Sequence, residues 1–96
     1  MAAFFTVDLH LLTQGEGGRT VPIRSGYQAL ALFGQTADPG WGVGVTVSFD
    51  APPELAPGDS GLVRMTSWTN TPAPEPGTVL RLHELGRLIA NGTVTA

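Results

Sequence analysis

An all-β domain, a six-stranded antiparallel β-barrel, is what this sequence predicts, on three observations. Apolar residues alternate with polar ones in several short runs, glycine and proline punctuate the chain between those runs, and no segment carries a clear helical period. The 96 residues include 13 glycines and 8 prolines, and 42% of them are hydrophobic against 14% charged. That composition suits one folded domain spanning residues 1–96, with a modest core and a weakly charged surface.

Each element has its own signal. Phe5, Val7, Leu9 and Leu11 alternate with Thr6, Asp8 and His10, the period of a strand with one face in a core and one in water. Gln14 to Gly18 end it. Tyr27 to Phe33 is a short apolar run between Gly26 and Gly34 with no helix cap before it, so a second strand is expected. Val43, Val45, Val47 and Phe49 alternate with Gly44, Thr46 and Ser48 in the clearest strand of the chain. Asp50 to Gly58 is proline-rich and reads as an extended loop or series of turns.

In Pro57-Gly58-Asp59, proline suits the first central position of a type I or II turn, and Leu62 to Thr69 follows as a fourth strand. Thr71 to Gly77 forms another proline-rich loop. Val79 to Glu84 and Arg87 to Thr95 then pair as a hairpin around Leu85-Gly86, with Leu80 and Leu82 on one face and Arg81 and His83 on the other. Leucine tolerates positive φ poorly, so a type I turn with a glycine bulge is expected there. Leu82, Leu85 and Ile89 also have near-helical spacing, a reading opposed by Thr78-Val79 and Gly86. Six strands fit a barrel or a sandwich, and closure into a barrel removes exposed edges.

Charge and composition narrow the function. All five basic residues are arginines (Arg19, Arg24, Arg64, Arg81, Arg87) against eight carboxylates, a net charge of −3. Nucleic-acid binding draws on a dense basic patch that releases counterions, so this balance disfavours it. Without cysteine there is no thiolate zinc site and no redox chemistry. No apolar run reaches the roughly 20 residues of a membrane-spanning helix, and the N-terminus lacks the basic region of a signal peptide, so a cytoplasmic protein is expected.

Candidate chemistry is sparse. His10 and His83 alternate with apolar residues and should face solvent, with Asp8 on the face of His10 as a loose charge partner. A hydrolytic site would need Asp8, His10 and Ser60 to cluster, and Ser60-Gly61 is too common a pair to imply one. No histidine spacing suits a metal, and no lysine is present to complete a phosphate loop, so neither metal nor cofactor is expected. Trp41, between Gly40 and Gly42, is either a partner anchor or a plug over the barrel end. Trp68 is expected in the core or on a half-buried face.

The most distinctive segment is Glu16-Gly17-Gly18-Arg19, followed by Pro22 and Gly26-Tyr27, and echoed as Glu84-Leu85-Gly86-Arg87. Such loops can offer a guanidinium and free backbone N–H groups to a partner. They can also simply pair internally, Arg19 with Glu16 and Arg87 with Glu84, at well under about 1 kcal/mol each if exposed. Together with Phe33, Pro57-Gly58-Asp59, Pro72, Gly77 and Gly92, these segments resemble, in order and nearly in spacing, the C-terminal β-barrel domain of translation elongation factor Tu. The resemblance runs from Phe5 to Val94.

It implies a six-stranded barrel that, in the full factor, packs against a GTPase domain and a second barrel, touches the T-stem of aminoacyl-tRNA and contacts the nucleotide exchange factor. The resemblance covers the barrel alone and therefore implies no GTP hydrolysis. Arg19 and Gly86 match family positions that approach the tRNA backbone. Thr20 stands where the family usually has histidine, Thr71 replaces a basic residue before the proline matching Pro72, and Leu85 replaces a glycine. Gln28-Ala29-Leu30 replaces the usual arginine, proline and glutamine, and the stretch between Gly40 and Pro57 is longer by a few residues. These departures remove charge from the site while keeping the residues that set the barrel. The expected function is thus a non-enzymatic binding module recognising a protein partner, either within the translation machinery or as a mimic competing for the factor's partners, through Arg19, Tyr27, Trp41, Gly86 and Arg87. Weak RNA binding through Arg19 and Gly86 is the first alternative, and an enzyme of unknown reaction the second.

Overall fold

The computed structural model describes residues 4–33, 42–50, 53–68 and 74–95. In chain order its strands are β1 (Phe4–Leu11), β2 (Ile23–Arg24), β3 (Tyr27–Phe33), β4 (Val43–Ser48), β5 (Glu54–Leu55), β6 (Ser60–Ser67), β7 (Val79–Glu84) and β8 (Arg87–Val94). Six of them close an antiparallel barrel in the order β1-β6-β4-β3-β7-β8, with β8 pairing back onto β1. The class and closure expected from the alternation are met.

The period-2 pattern explains why this sequence closes. Val7, Leu9 and Leu11 of β1, Val43, Val45 and Val47 of β4, Val63 and Met65 of β6, and Leu80 and Leu82 of β7 all point inward and are buried. Fully burying one such side chain contributes about 1.5–3 kcal/mol, so this inner face supplies the main driving force. Phe5 and Phe33 meet edge to face, ring centroids 5.8 Å apart, within the same cluster.

Two short strands went unforeseen. β2 and β5 form a separate two-stranded ladder, Ile23 opposite Leu55 and Arg24 opposite Glu54. Ile23 and Leu55 are buried in the barrel's core, so the loops after β1 and β4 each contribute an apolar residue to it. Glu54–Leu55 falls inside the stretch expected to be loop, because two residues are too few to display a period. The turn at Pro57-Gly58 matches its sequence signal: the Asp59 amide bonds to the Ala56 carbonyl at 2.9 Å, and Gly58 takes the positive φ of a type II turn.

Three further expectations are corrected. The β7–β8 turn has φ 52° at Leu85 and 79° at Gly86, both central residues left-handed, which is the geometry of a type I′ hairpin and not of a type I turn with a bulge. A bulge does occur, further along: the register shifts between Leu82 and His83, leaving Ile89 as the extra residue on β8 so that Ile89 and Ala90 are buried in succession. The fourth strand begins at Ser60 instead of Leu62.

Trp68 is the third correction. It is neither core nor half-buried but 56% exposed, lying on the outer face where a β-carbon added to Gly44 would sit 2.3 Å from its ring. Only glycine at position 44 lets the indole lie down there, and its Nε1 donates to the Thr46 hydroxyl at 2.8 Å. Trp41, Thr71 and Pro72 lie outside the described residues.

Candidate functional site

The first loop is built around Thr13. Its side chain accepts the Glu16 amide at 3.2 Å while the Glu16 carboxylate accepts the Thr13 amide at 2.9 Å, a reciprocal capping box over the 3₁₀ turn Gln14–Glu16. These bonds hold the Glu16 carboxyl below its ordinary value. Glu16 is therefore committed within its own loop and does not pair with Arg19.

Arg19 instead crosses to the other loop. Its Nη1 donates to Glu84 Oε1 in an ion pair, its Nε donates to the Val21 carbonyl at 3.2 Å, and its guanidinium lies 4.9 Å from the centroid of the Tyr27 ring. The Tyr27 hydroxyl donates to the same Glu84 oxygen at 2.6 Å, and Nη1 stands 3.4 Å from that hydroxyl. Burial, reinforced by the hydrogen bond to Glu84 and by its charge, pushes the Tyr27 hydroxyl well above its ordinary value of 10.0. The Arg19 side chain is only 18% exposed, so the group expected to meet a partner is largely spent on a staple between the two loops.

What remains at the rim is the tip of the β7–β8 hairpin. Leu85 is fully exposed at 102%, Gly86 and Arg87 beside it are exposed, and the Arg87 side chain has no hydrogen-bonded or charged partner among the described residues. Arg87 and Glu84 are register partners across the turn, yet the carboxylate turns to Arg19 and Tyr27. Of the residues expected in the site, Arg19 and Tyr27 are thus joined through Glu84, Gly86 and Arg87 follow directly in the same hairpin, and Trp41 lies outside the described residues. Glu84 as the hub was not foreseen, because 65 residues separate it from Arg19 and no local spacing reports such a contact.

A second cluster lies on the outer wall. His10 Nδ1 and Ser60 Oγ are 2.8 Å apart, and Asp8 lines the same groove. Two members of the arrangement required for hydrolysis therefore do meet. Asp8 forms no ion pair with His10 among the described residues, so the ring lacks a carboxylate to orient it. β1 is paired on both sides, to β6 and β8, so its own amides serve the ladders. Among the described residues no cluster of three or more metal-ligating side chains occurs.

Neither a scan against protein-family models nor a search of curated proteins finds a match to this sequence.

Proposed function

We propose that this chain is a non-enzymatic binding module that recognises a protein through the tip of its β7–β8 hairpin, with Leu85 and Arg87 as the contacting side chains and the Arg19–Tyr27–Glu84 staple as their support. The observation that carries this reading is Leu85. A β-carbon in the left-handed region costs roughly 1–2 kcal/mol, and an exposed leucine gains no burial to offset that cost within the chain. An apolar side chain displayed at such a cost on a two-residue turn is suited to burial in a partner. Arginine, the residue beside the glycine, is among those enriched where partners bind tightly.

The resemblance to the C-terminal barrel of elongation factor Tu directs the search for that partner to the translation machinery. The tRNA alternative draws on Arg19, whose guanidinium is already held by Glu84 and Tyr27. The test is capture from lysate by the immobilised chain, compared with Leu85→Asn and Arg87→Ala. Translation proteins held by the unaltered chain and lost from both variants are expected, and an identical captured set from all three would count against the tip. tRNA retention that weakens steeply with salt and falls in Arg19→Ala would favour the RNA reading instead.

A further inference from the structure

The register of the barrel places two rows of side chains side by side on the outer wall. Ser60, His10, Asn91 and Arg81 are successive partners across β6, β1, β8 and β7, and Leu62, Asp8, Thr93 and Val79 form the next row. Asp8, His10, Ser60, Val79, Arg81, Asn91 and Thr93 line one open groove of about 590 Å³. That volume falls within the range of small-molecule sites. The groove lies along the C-terminal half of β8, away from the hairpin tip, and owes nothing to the partner reading above.

Its chemistry discriminates among ligand classes. Asp8 offers only acceptors and Arg81 only donors, so the two charges oppose each other and favour neither a cation nor an anion. A phosphate would meet the Asp8 carboxylate, and an ammonium would meet the Arg81 guanidinium. The remaining polar groups are of another kind: Asn91 carries both a donor and an acceptor, the hydroxyls of Ser60 and Thr93 are both at once, and the His10 ring exchanges donor for acceptor as its proton moves between nitrogens. The contact between His10 and Ser60 can be made in either sense, so that pair can present a donor or an acceptor as needed. Hydroxyl groups are the ligand atoms that require this double character, and Val79 adds a small apolar surface for a carbon skeleton. We infer that the groove formed by Asp8, His10, Ser60, Asn91 and Thr93 binds a neutral polyhydroxylated small molecule of the saccharide class.

The test is a titration of the isotope-labelled chain, followed by amide NMR shifts, with D-glucose, with maltotriose and with inorganic phosphate as separate probes. Either sugar is expected to give saturable shifts confined to Asp8, His10, Ser60, Asn91 and Thr93, with little dependence on salt. Asn91→Ala, an exposed position, should weaken that binding about tenfold, the loss of roughly one good hydrogen bond. Thr93→Val serves as a second variant with the same expected direction, and Gln28→Ala, at an exposed position of β3 outside the groove lining, should bind as the unaltered chain does. Shifts with phosphate alone, no saturable shift with either sugar, or full affinity in both Asn91→Ala and Thr93→Val would overturn the inference.

Discussion

Two loops of this chain carry a glutamate, a glycine and an arginine in nearly the same order, and the fold gives them opposite tasks. In Glu16-Gly17-Gly18-Arg19 the carboxylate turns back to cap Thr13 and the arginine reaches across to Glu84 and Tyr27. In Glu84-Leu85-Gly86-Arg87 the carboxylate reaches across and the arginine is left facing solvent. The difference follows from where each loop sits: the first is anchored by a capping box and a buried glycine, whereas the second is a two-residue turn that can only project. Composition of a loop therefore says which groups are present, and topology says which of them remain available.

The glycines of the two loops give the largest contrast. A β-carbon at Gly18 would stand 2.4 Å from the Leu12 carbonyl oxygen, whereas one at Gly86 would meet nothing within 4 Å. Gly18→Ala is expected to destabilise the barrel by about 3 kcal/mol in urea unfolding, since backbone must move to make room. Gly86→Ala should cost about 1–2 kcal/mol from backbone conformation alone. Equal effects would mean that the first loop is not packed as described.

Arginine truncation comes next. Arg19→Ala should cost about 1–2 kcal/mol through loss of a charge-assisted bond to a partly buried carboxylate, while Arg87→Ala should leave stability unchanged within about 0.5 kcal/mol. Leu85→Asn is expected to raise stability by about 1 kcal/mol, because Asn-Gly is the favoured pair for a type I′ turn, while abolishing partner capture. A variant both more stable and still fully competent in capture would remove the reason for Leu85.

Tyrosine titration sharpens the staple further. The Tyr27 hydroxyl is raised above 10.0 in the fold, so the unfolded chain loses its proton first, and the stability this contributes is complete below pH 10 and lost as pH rises beyond it. Tyr27→Phe should flatten the decline in stability above pH 10. At the other end of the scale, Glu16 titrates below its ordinary 4.5, so its contribution is present above pH 4.5 and fades as pH falls below that value. Glu16→Gln should remove only a slight part of the acid-side slope, because the carboxylate is exposed.

Much of the barrel was legible because alternation writes burial directly into sequence: Phe5 to Leu11 and Val43 to Val47 declare both strand and inward face. The pair Ile23–Leu55 was not, since two residues cannot show a period and their burial depends on distant strands. The Leu85–Gly86 turn departs from the sequence expectation because local preference argues against leucine at positive φ, and the two-residue closure of the hairpin overrides that preference. At the site, Arg19 and Tyr27 were found as residues, but their shared partner Glu84 is a tertiary contact with no local mark. The meeting of His10 with Ser60 is likewise set by register between β1 and β6.

The contrast between the loops requires Glu84 to be coupled to Arg19 and not to its neighbour Arg87. A double-mutant cycle by urea unfolding measures it directly, pairing Glu84→Gln with Arg19→Ala and, separately, with Arg87→Ala. A coupling of about 1 kcal/mol in the first cycle and none in the second is expected. Coupling to Arg87 equal to or larger than that to Arg19 would contradict the account.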